Sequence, residues 1–237
     1  VMGSGAMYDA TTASNNTSIG YISLRNITTG ANNVALGKQT GDTLTTTSNT
    51  VLLGNEAGYS INSADADGTV AIGYQAGAAI TSGAGNLAIG YLAGSSTTSG
   101  YNNTFIGYEA GNDNTTGYEN TFVGQKAGHH GDVTSHQSSQ NVYVGSFAGE
   151  NLDDGSRNVA IGRGAMRAVE ADGNYSLQNV AVGYGALSSA TDAAYNVCIG
   201  ANAGNKIGNG ARNVCIGNET NPYVQNSTNQ VVIGYNI

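Results

Sequence analysis

Tryptophan is missing from this 237-residue chain, proline occurs once and cysteine twice. Charge is scarce too: 8 lysines and arginines stand against 16 aspartates and glutamates, which leaves 10% charged residues and a net charge of −8. A nucleic-acid partner calls for a clustered basic face, so this balance argues against one. It offers no polybasic patch to anionic lipid either. No signal peptide or membrane span is legible, and direct membrane insertion is not expected. No G-x-S-x-G elbow, no Walker loop and no histidine outside a single stretch can be found, so nucleophilic and phosphoryl-transfer chemistry lack their usual signatures. The 36 glycines do not recur every third residue, which excludes collagen.

What is present is a repeat. The stretch Asn158-Val159-Ala160-Ile161-Gly162 returns throughout, its final glycine falling at residues 3, 20, 37, 54, 73, 90, 107, 124, 145, 162, 183, 200, 217 and 234. Most steps are 17 residues; one is 19 and two are 21. Disorder would suit the low charge but not aliphatic residues held in register over such a distance. With positions counted from that glycine, −1 is always aliphatic and −3 is mostly Val, with Leu87, Thr17, Thr104 and Thr121 as variants. Period two puts −1 and −3 on one face of a short strand. Alanine dominates position +3, and a second glycine often stands at −7 after a turn-forming residue. Strand, turn, small-residue return and turn fit one flat coil per repeat. Stacking at ~4.8 Å gives a parallel β-solenoid of about 13 coils, roughly 60 Å long, as one continuous module over 1–237. Capping ends are not visible, so the chain reads as part of a longer fibre.

Asparagine at −4 in ten repeats predicts an amide ladder along the stack, a structural column. Position −2 points away from −1 and −3 and is also apolar apart from Ser18: Ala35, Leu52, Ala71, Ala88, Phe105, Phe122, Tyr143, Ala160, Ala181, Cys198, Cys215, Val232. A strand apolar on both faces needs cover on both. With −1 and −3 assigned to the coil interior, column −2 becomes the contact between chains, and oligomerisation along the whole length is expected. Asp at Ala160 is then expected to block assembly more than folding. Cys198 and Cys215 share this column in adjacent coils. Stacked parallel side chains rarely meet the disulfide dihedral, so they read as buried free thiols, and neither number nor spacing suggests zinc.

Three insertions break the rhythm, and in repeat proteins such insertions map to surface loops. Asp65-Ala66-Asp67-Gly68 resembles the middle of a calcium loop, but Ser63 stands where its first Asp belongs and no glutamate closes it. His129, His130 and His136 flank Asp132 in the second insertion; without a ligand spacing such as H-x-x-x-H they read as a polar loop rather than a metal site. The third insertion lies within Ala165 to Tyr175, where Ala165 to Ala171 is compatible with a helical turn. Asp153-Asp154 reads as a turn before Gly155 rather than as a glycosidase pair. Six tyrosines hold +1, among them Tyr74, Tyr91 and Tyr108, and Tyr101 and Tyr118 share −6. Stacking between coils is the simpler reading; an aromatic platform for sugar rings is the alternative. Thr45-Thr46-Thr47 and Thr97-Thr98 read as not forming one column, which ranks ice binding last.

Asn-Val-Ala-Ile-Gly is similar to the core of the repeats in the YadA-like head of trimeric autotransporter adhesins. Gly107-Tyr108-Glu109-Ala110-Gly111, Asn114-Thr115-Thr116-Gly117 and Asn120-Thr121-Phe122-Val123-Gly124 resemble repeats of bacteriophage tail fibres more closely still. The resemblance spans nearly the whole chain, although the 17-residue period is longer than that of the adhesin heads. It implies a left-handed β-roll packed as a homotrimer and a non-enzymatic, cofactor-free fibre or adhesin segment outside the cell, on a virion tail or a bacterial surface. The partners it implies are further copies of the chain and a host surface glycan or outer-membrane protein. An autotransporter head is the alternative, and a tailspike depolymerase ranks behind it. On a regular scaffold, target contact is expected where the rhythm breaks, so His129, His130, Asp132 and His136, with Tyr74, Tyr91 and Tyr108, are the candidate surface contacts. Deleting Gly131 to Thr134 is expected to spare the oligomer and weaken attachment.

Overall fold

The computed structural model describes residues 1–129, 138–152, 154–168 and 176–237. Thirteen parallel strands form a β-solenoid. Among the described residues, helix is limited to one 3-10 turn, Ala64–Ala66. The chain divides into two compact units, Val1–Tyr118 and Glu119–Ile237. The first carries β1 (Thr17–Ile19), β2 (Val34–Leu36), β3 (Val51–Leu53), β4 (Val70–Ile72), β5 (Leu87–Ile89) and β6 (Thr104–Ile106). The second carries β7 (Thr121–Val123), β8 (Val142–Val144), β9 (Val159–Ile161), β10 (Val180–Val182), β11 (Val197–Ile199), β12 (Val214–Ile216) and β13 (Val231–Ile233). Within each unit a strand pairs with its successor at identical repeat positions: Val70 with Leu87, Ala71 with Ala88 and Ile72 with Ile89, or Val180 with Val197, Ala181 with Cys198 and Val182 with Ile199. One repeat is therefore one coil.

The coil closes because its turns use the left-handed backbone region at fixed positions. Non-glycine residues at +2 take φ from 49° at Ile22 to 60° at Phe147, and residues at −5 do the same at Asn32 (59°) and Arg157 (59°). The repeat glycine has a different task. At Gly90 φ is +137°, and a Cβ there would lie 2.3 Å from the carbonyl oxygen of Gly107 in the next coil. No side chain fits between coils stacked this closely, so the position stays glycine.

The assignment of strand faces is corrected by burial. Column −2 fills the interior of its own coil: Ala71, Ala88, Phe105, Phe122, Tyr143, Ala160, Ala181, Cys198 and Cys215 are all buried, with Ala160 at 0% exposure, and only Val232 in the last strand is half-buried. These residues cannot be the contact between chains. Positions −1 and −3 instead point outward, with Leu36 at 48% and Ile161 at 40%. The reason is geometric. A three-residue strand presents one side chain to one face and two to the other. A coil thinned by buried alanines at +3, such as Ala76, Ala93 and Ala148, has room for the single middle residue.

Interior volume is shared between −2 and +4. Where −2 is Phe105, Phe122 or Tyr143, the residue at +4 is Gly111, Gly128 or Gly149, and a Cβ on that glycine would come within 2.4, 2.4 or 2.3 Å of the ring. Where −2 is Ser18, Ala160 or Ala181, position +4 holds Leu24, Met166 or Leu187, each fully buried. Column +7 completes the core with Ile27, Leu44, Ile61, Ile80, Leu152 and Ile207.

Buried polar groups are satisfied along the stack. In the first unit the Asn103 side-chain Nδ2 donates to the Asn86 Oδ1 (3.1 Å) and to the Gly117 carbonyl (2.8 Å), while the Asn103 backbone N–H donates to the Asn86 Oδ1 (3.0 Å). The second unit repeats this from Asn120 through Asn141, Asn158, Asn179, Asn196 and Asn213 to Gln230. The expected amide ladder is present. A threonine column also exists at +8, contrary to the sequence reading, and it includes Thr45 and Thr98. Its hydroxyls donate to carbonyls one coil on: Thr28 Oγ1 to Thr45 (3.1 Å), Thr45 Oγ1 to Asn62 (3.1 Å) and Thr98 Oγ1 to Thr115 (3.1 Å).

The first insertion folds as the 3-10 turn. Ser63 caps it by accepting from the Asp65 N–H, and Asp67 accepts from the backbone N–H of Ser48 (2.7 Å). Both acids therefore serve turn geometry. In the third insertion Ala165 and Met166 lie in a turn and Arg167 and Ala168 follow without helix; residues 169–171 of the expected helical turn lie outside the described residues. Cys198 and Cys215 are partners in the β11–β12 register, buried and unbridged. The hydrogen bond with the neighbouring Cys215 thiol, and then burial, push the Cys198 thiol above its ordinary range.

Candidate functional site

Three surfaces compete for a functional role. The first is the outward strand face. In the second unit its −3 and −1 columns run Thr121 and Val123, Val142 and Val144, Val159 and Ile161, Val180 and Val182, Val197 and Ile199, Val214 and Ile216, Val231 and Ile233, half-exposed or exposed throughout. No charged side chain interrupts it. The first unit presents the same face from Thr17 to Ile106.

The second is the tyrosine column. Tyr74 stacks on Tyr91 with ring centroids 5.3 Å apart, and Tyr91 on Tyr108 at 5.2 Å; Tyr101 and Tyr118 stack at 5.0 Å. Rings nearly parallel at this distance cover each other's faces. What reaches solvent is edge, whereas a sugar ring needs an open aromatic face, so the geometry favours inter-coil packing for Tyr74, Tyr91 and Tyr108. Glu109, chiefly by accepting a hydrogen bond, raises the Tyr108 phenol above its ordinary pKa. Of the histidine loop only His129 is described. It is half-buried, and its carbonyl accepts from the Asn151 N–H (2.9 Å). His130, Asp132 and His136, like Gly131 to Thr134, lie outside the described residues. Among the described residues no group of three His, Cys, Asp or Glu comes together as metal ligands do.

The third surface was not singled out from sequence. In the second unit a cleft of about 480 Å³ is lined by Asn151, Arg163, Arg167, Tyr184, Ser188 and Asn202. Its floor is Gly164 and Gly185 at position +2, a position that carries Phe147 one coil before and Asn202 one coil after. Two successive coils thus lack a side chain between two that have one. A Cβ built on Gly164 would meet nothing. Arg163 takes the +1 position that is tyrosine in six other coils, and its guanidinium carbon lies 5.9 Å from the Phe147 ring centre and 5.8 Å from that of Tyr184. Arg167 lies over Phe147 at 4.9 Å and pairs with the buried carboxylate of Glu150. The paired glycines at +2 beside an arginine at +1 are the sequence signal that could have marked this place.

No protein-family model matches the chain, and neither does any curated protein or solved structure.

Proposed function

We propose that the chain is a structural and adhesive segment of an extracellular surface fibre, in which three copies pack through the outward aliphatic face. The observation that carries this is the uninterrupted −1/−3 surface. A soluble monomer rarely exposes a contiguous apolar patch beyond a few hundred Å², and the seven strands of the second unit alone line up two such side chains each. Exposed strand faces this flat and aliphatic find cover in another copy of themselves, and identical coils give identical surfaces that match along the stack. The repeats' resemblance to phage tail fibres and, next, to adhesin heads supports placement on a virion tail or a bacterial surface, with attachment rather than catalysis as the task.

Light scattering on the purified chain tests the assembly. A trimer of three 23.9 kDa chains is expected, and Ile161→Asp is expected to yield monomers with an unchanged circular dichroism spectrum. Ala160→Asp, one residue away but inside the coil, is expected to lose the spectrum itself, because it buries a charge without a partner. A wild-type chain that stays monomeric at tens of micromolar would overturn the reading. Steady release of reducing ends from host polysaccharide would replace the adhesive function with a depolymerase.

A further inference from the structure

We infer that the cleft between Phe147 and Asn202 is a binding subsite for an acidic sugar residue, a pyranose carrying a carboxylate. The inference rests on the reading of the chain as a surface-attachment fibre and names the class of target that this one place would take.

Arg163 is the starting point. Only 8 lysines and arginines occur in the chain, and two of them, Arg163 and Arg167, line this cleft. Arg167 is committed to Glu150. Among the described residues no carboxylate pairs with Arg163; its one polar side-chain contact is a long one, 3.5 Å from Nη1 to the Tyr184 hydroxyl. Its guanidinium lies within about 6 Å of two aromatic rings and lines the cleft, where its donors can meet a ligand. An arginine suits a bidentate carboxylate, since its planar fork matches the two oxygens.

Tyr184 supplies the second requirement. It is 55% exposed, and the next residue of its column is Ala201, too small to cover the ring face turned that way. Unlike the stacked Tyr74, Tyr91 and Tyr108, it offers an aromatic face on which the C–H face of a pyranose can rest. Asn151, Asn202 and the Ser188 hydroxyl stand around the same space and provide both donors and acceptors for ring hydroxyls. The volume falls within the ~300–1,000 Å³ of small-ligand sites. On a chain of net charge −8 an acidic ligand needs a cationic contact, and Arg163, without a carboxylate partner among the described residues, supplies one here.

Titration calorimetry on the assembled chain tests this with galacturonic, glucuronic and N-acetylneuraminic acids, their neutral methyl esters, inorganic sulfate and adenosine monophosphate. At least one sugar acid is expected to bind, its ester about tenfold more weakly or worse. Arg163→Gln is expected to weaken binding by a similar factor. Gly164→Gln fills the floor with a residue type that position +2 already carries at Gln39 and Gln75, so it should abolish binding while light scattering and circular dichroism stay unchanged. Lys38→Gln, in the first unit, should bind as wild type. Equal binding of acid and ester, insensitivity to Gly164→Gln, tighter binding of sulfate or the nucleotide than of any sugar acid, or no sugar-acid binding at millimolar concentration would each overturn the proposal. A trimer that binds no sugar acid defeats this inference alone. A monomer that binds one defeats the assembly reading alone, because every lining residue belongs to one unit of one chain.

Discussion

Each buried asparagine at −4 holds two coils together. Asn196 donates from Nδ2 to the Gly210 carbonyl (2.8 Å) and the Asn179 Oδ1 (3.0 Å), and its own Oδ1 accepts from the N–H of Asn213 (2.9 Å). Asn196→Ala would leave the Asn213 N–H buried and unpaired and the Gly210 carbonyl with only a long bond from the Ala194 N–H (3.4 Å), and a loss of about 2 kcal/mol is expected in urea unfolding. Asn196→Thr should lose less, because Thr50 already occupies this column and joins the ladder through its N–H and hydroxyl to Asn33 Oδ1. The ladder was legible because one amide recurs at one position. Asp42 was not, because no one residue type dominates its column, +5. There it pairs with Arg25 one coil before, Nη2 donating to Oδ2 at 3.2 Å, as Arg167 pairs with Glu150 in the same column. Burial raises the Asp42 pKa, and the Arg25 charge only partly offsets this. The folded state therefore holds that proton more tightly than the unfolded chain does. Its contribution is largest below the unfolded pKa and is lost as pH rises through the raised folded value. Asp42→Asn is expected to flatten the midpoint-versus-pH curve in the carboxylate range without lowering stability at pH 7, since Arg25 is exposed enough to be solvated alone.

Within one coil the decisive quantity is volume. In six coils −2 and +4 are reciprocal, aromatic with glycine or small with Leu and Met, and in the coils of Ala35, Ala71 and Ala88 the Leu52, Ile80 and Phe105 side chains fill the space beside the glycine at +4. Ala181→Phe alone should overpack against Leu187 and lower stability by about 1–3 kcal/mol. Leu187→Gly alone should open a cavity at a cost of about 3 kcal/mol. The double variant reproduces the Phe122/Gly128 arrangement, so the pair should recover much of the loss, and a double-mutant cycle measured by denaturant unfolding should show coupling above ~1 kcal/mol. Additive losses would mean that the two columns do not share space. The repeat length, the parallel strand and the glycine-to-glycine register could all be read from periodicity. Which face pointed inward could not be read from apolarity, since −1, −2 and −3 are all apolar. The pairing of −2 with +4 carried that information only in part: Ser18 with Leu24, Ala160 with Met166 and Tyr143 with Gly149 mark −2 as the packed face, whereas Ala35, Ala71 and Ala88 stand with Gly41, Gly77 and Gly94, where Leu52, Ile80 and Phe105 take up the space. The uniform Ile, Leu and Val of −1 mark a surface that never has to fit a changing interior. The cleft went unnoticed for the same reason, since it is defined by missing side chains at Gly164 and Gly185 rather than by a motif.

At the scale of the whole molecule the proposal turns on the aliphatic face, and assembly couples to stability by mass action. If the folded chain associates and the unfolded chain does not, the thermal midpoint rises with protein concentration. Two opposing influences set how steeply. Apolar burial drives association and strengthens in sulfate or phosphate salts, whereas a net charge of −8 per chain makes copies repel one another at low ionic strength. Raising sodium chloride from low to physiological strength should therefore favour assembly by screening, and sodium sulfate should favour it further by strengthening apolar burial. The aliphatic columns carry no charge, so salt cannot weaken the contact directly. Calorimetric scans of wild type across a hundredfold concentration range should show the midpoint climbing, more steeply in sulfate than in chloride at equal ionic strength. The Ile161→Asp, Ile199→Asp double variant should give one midpoint at every concentration. It should lie near the wild-type value at the lowest concentration, because both side chains point outward and the coil interior is untouched. A wild-type midpoint that ignores concentration would mean that the face is covered by something other than a second copy of this chain. A double variant that melts far below dilute wild type would mean that Ile161 and Ile199 support the coil itself.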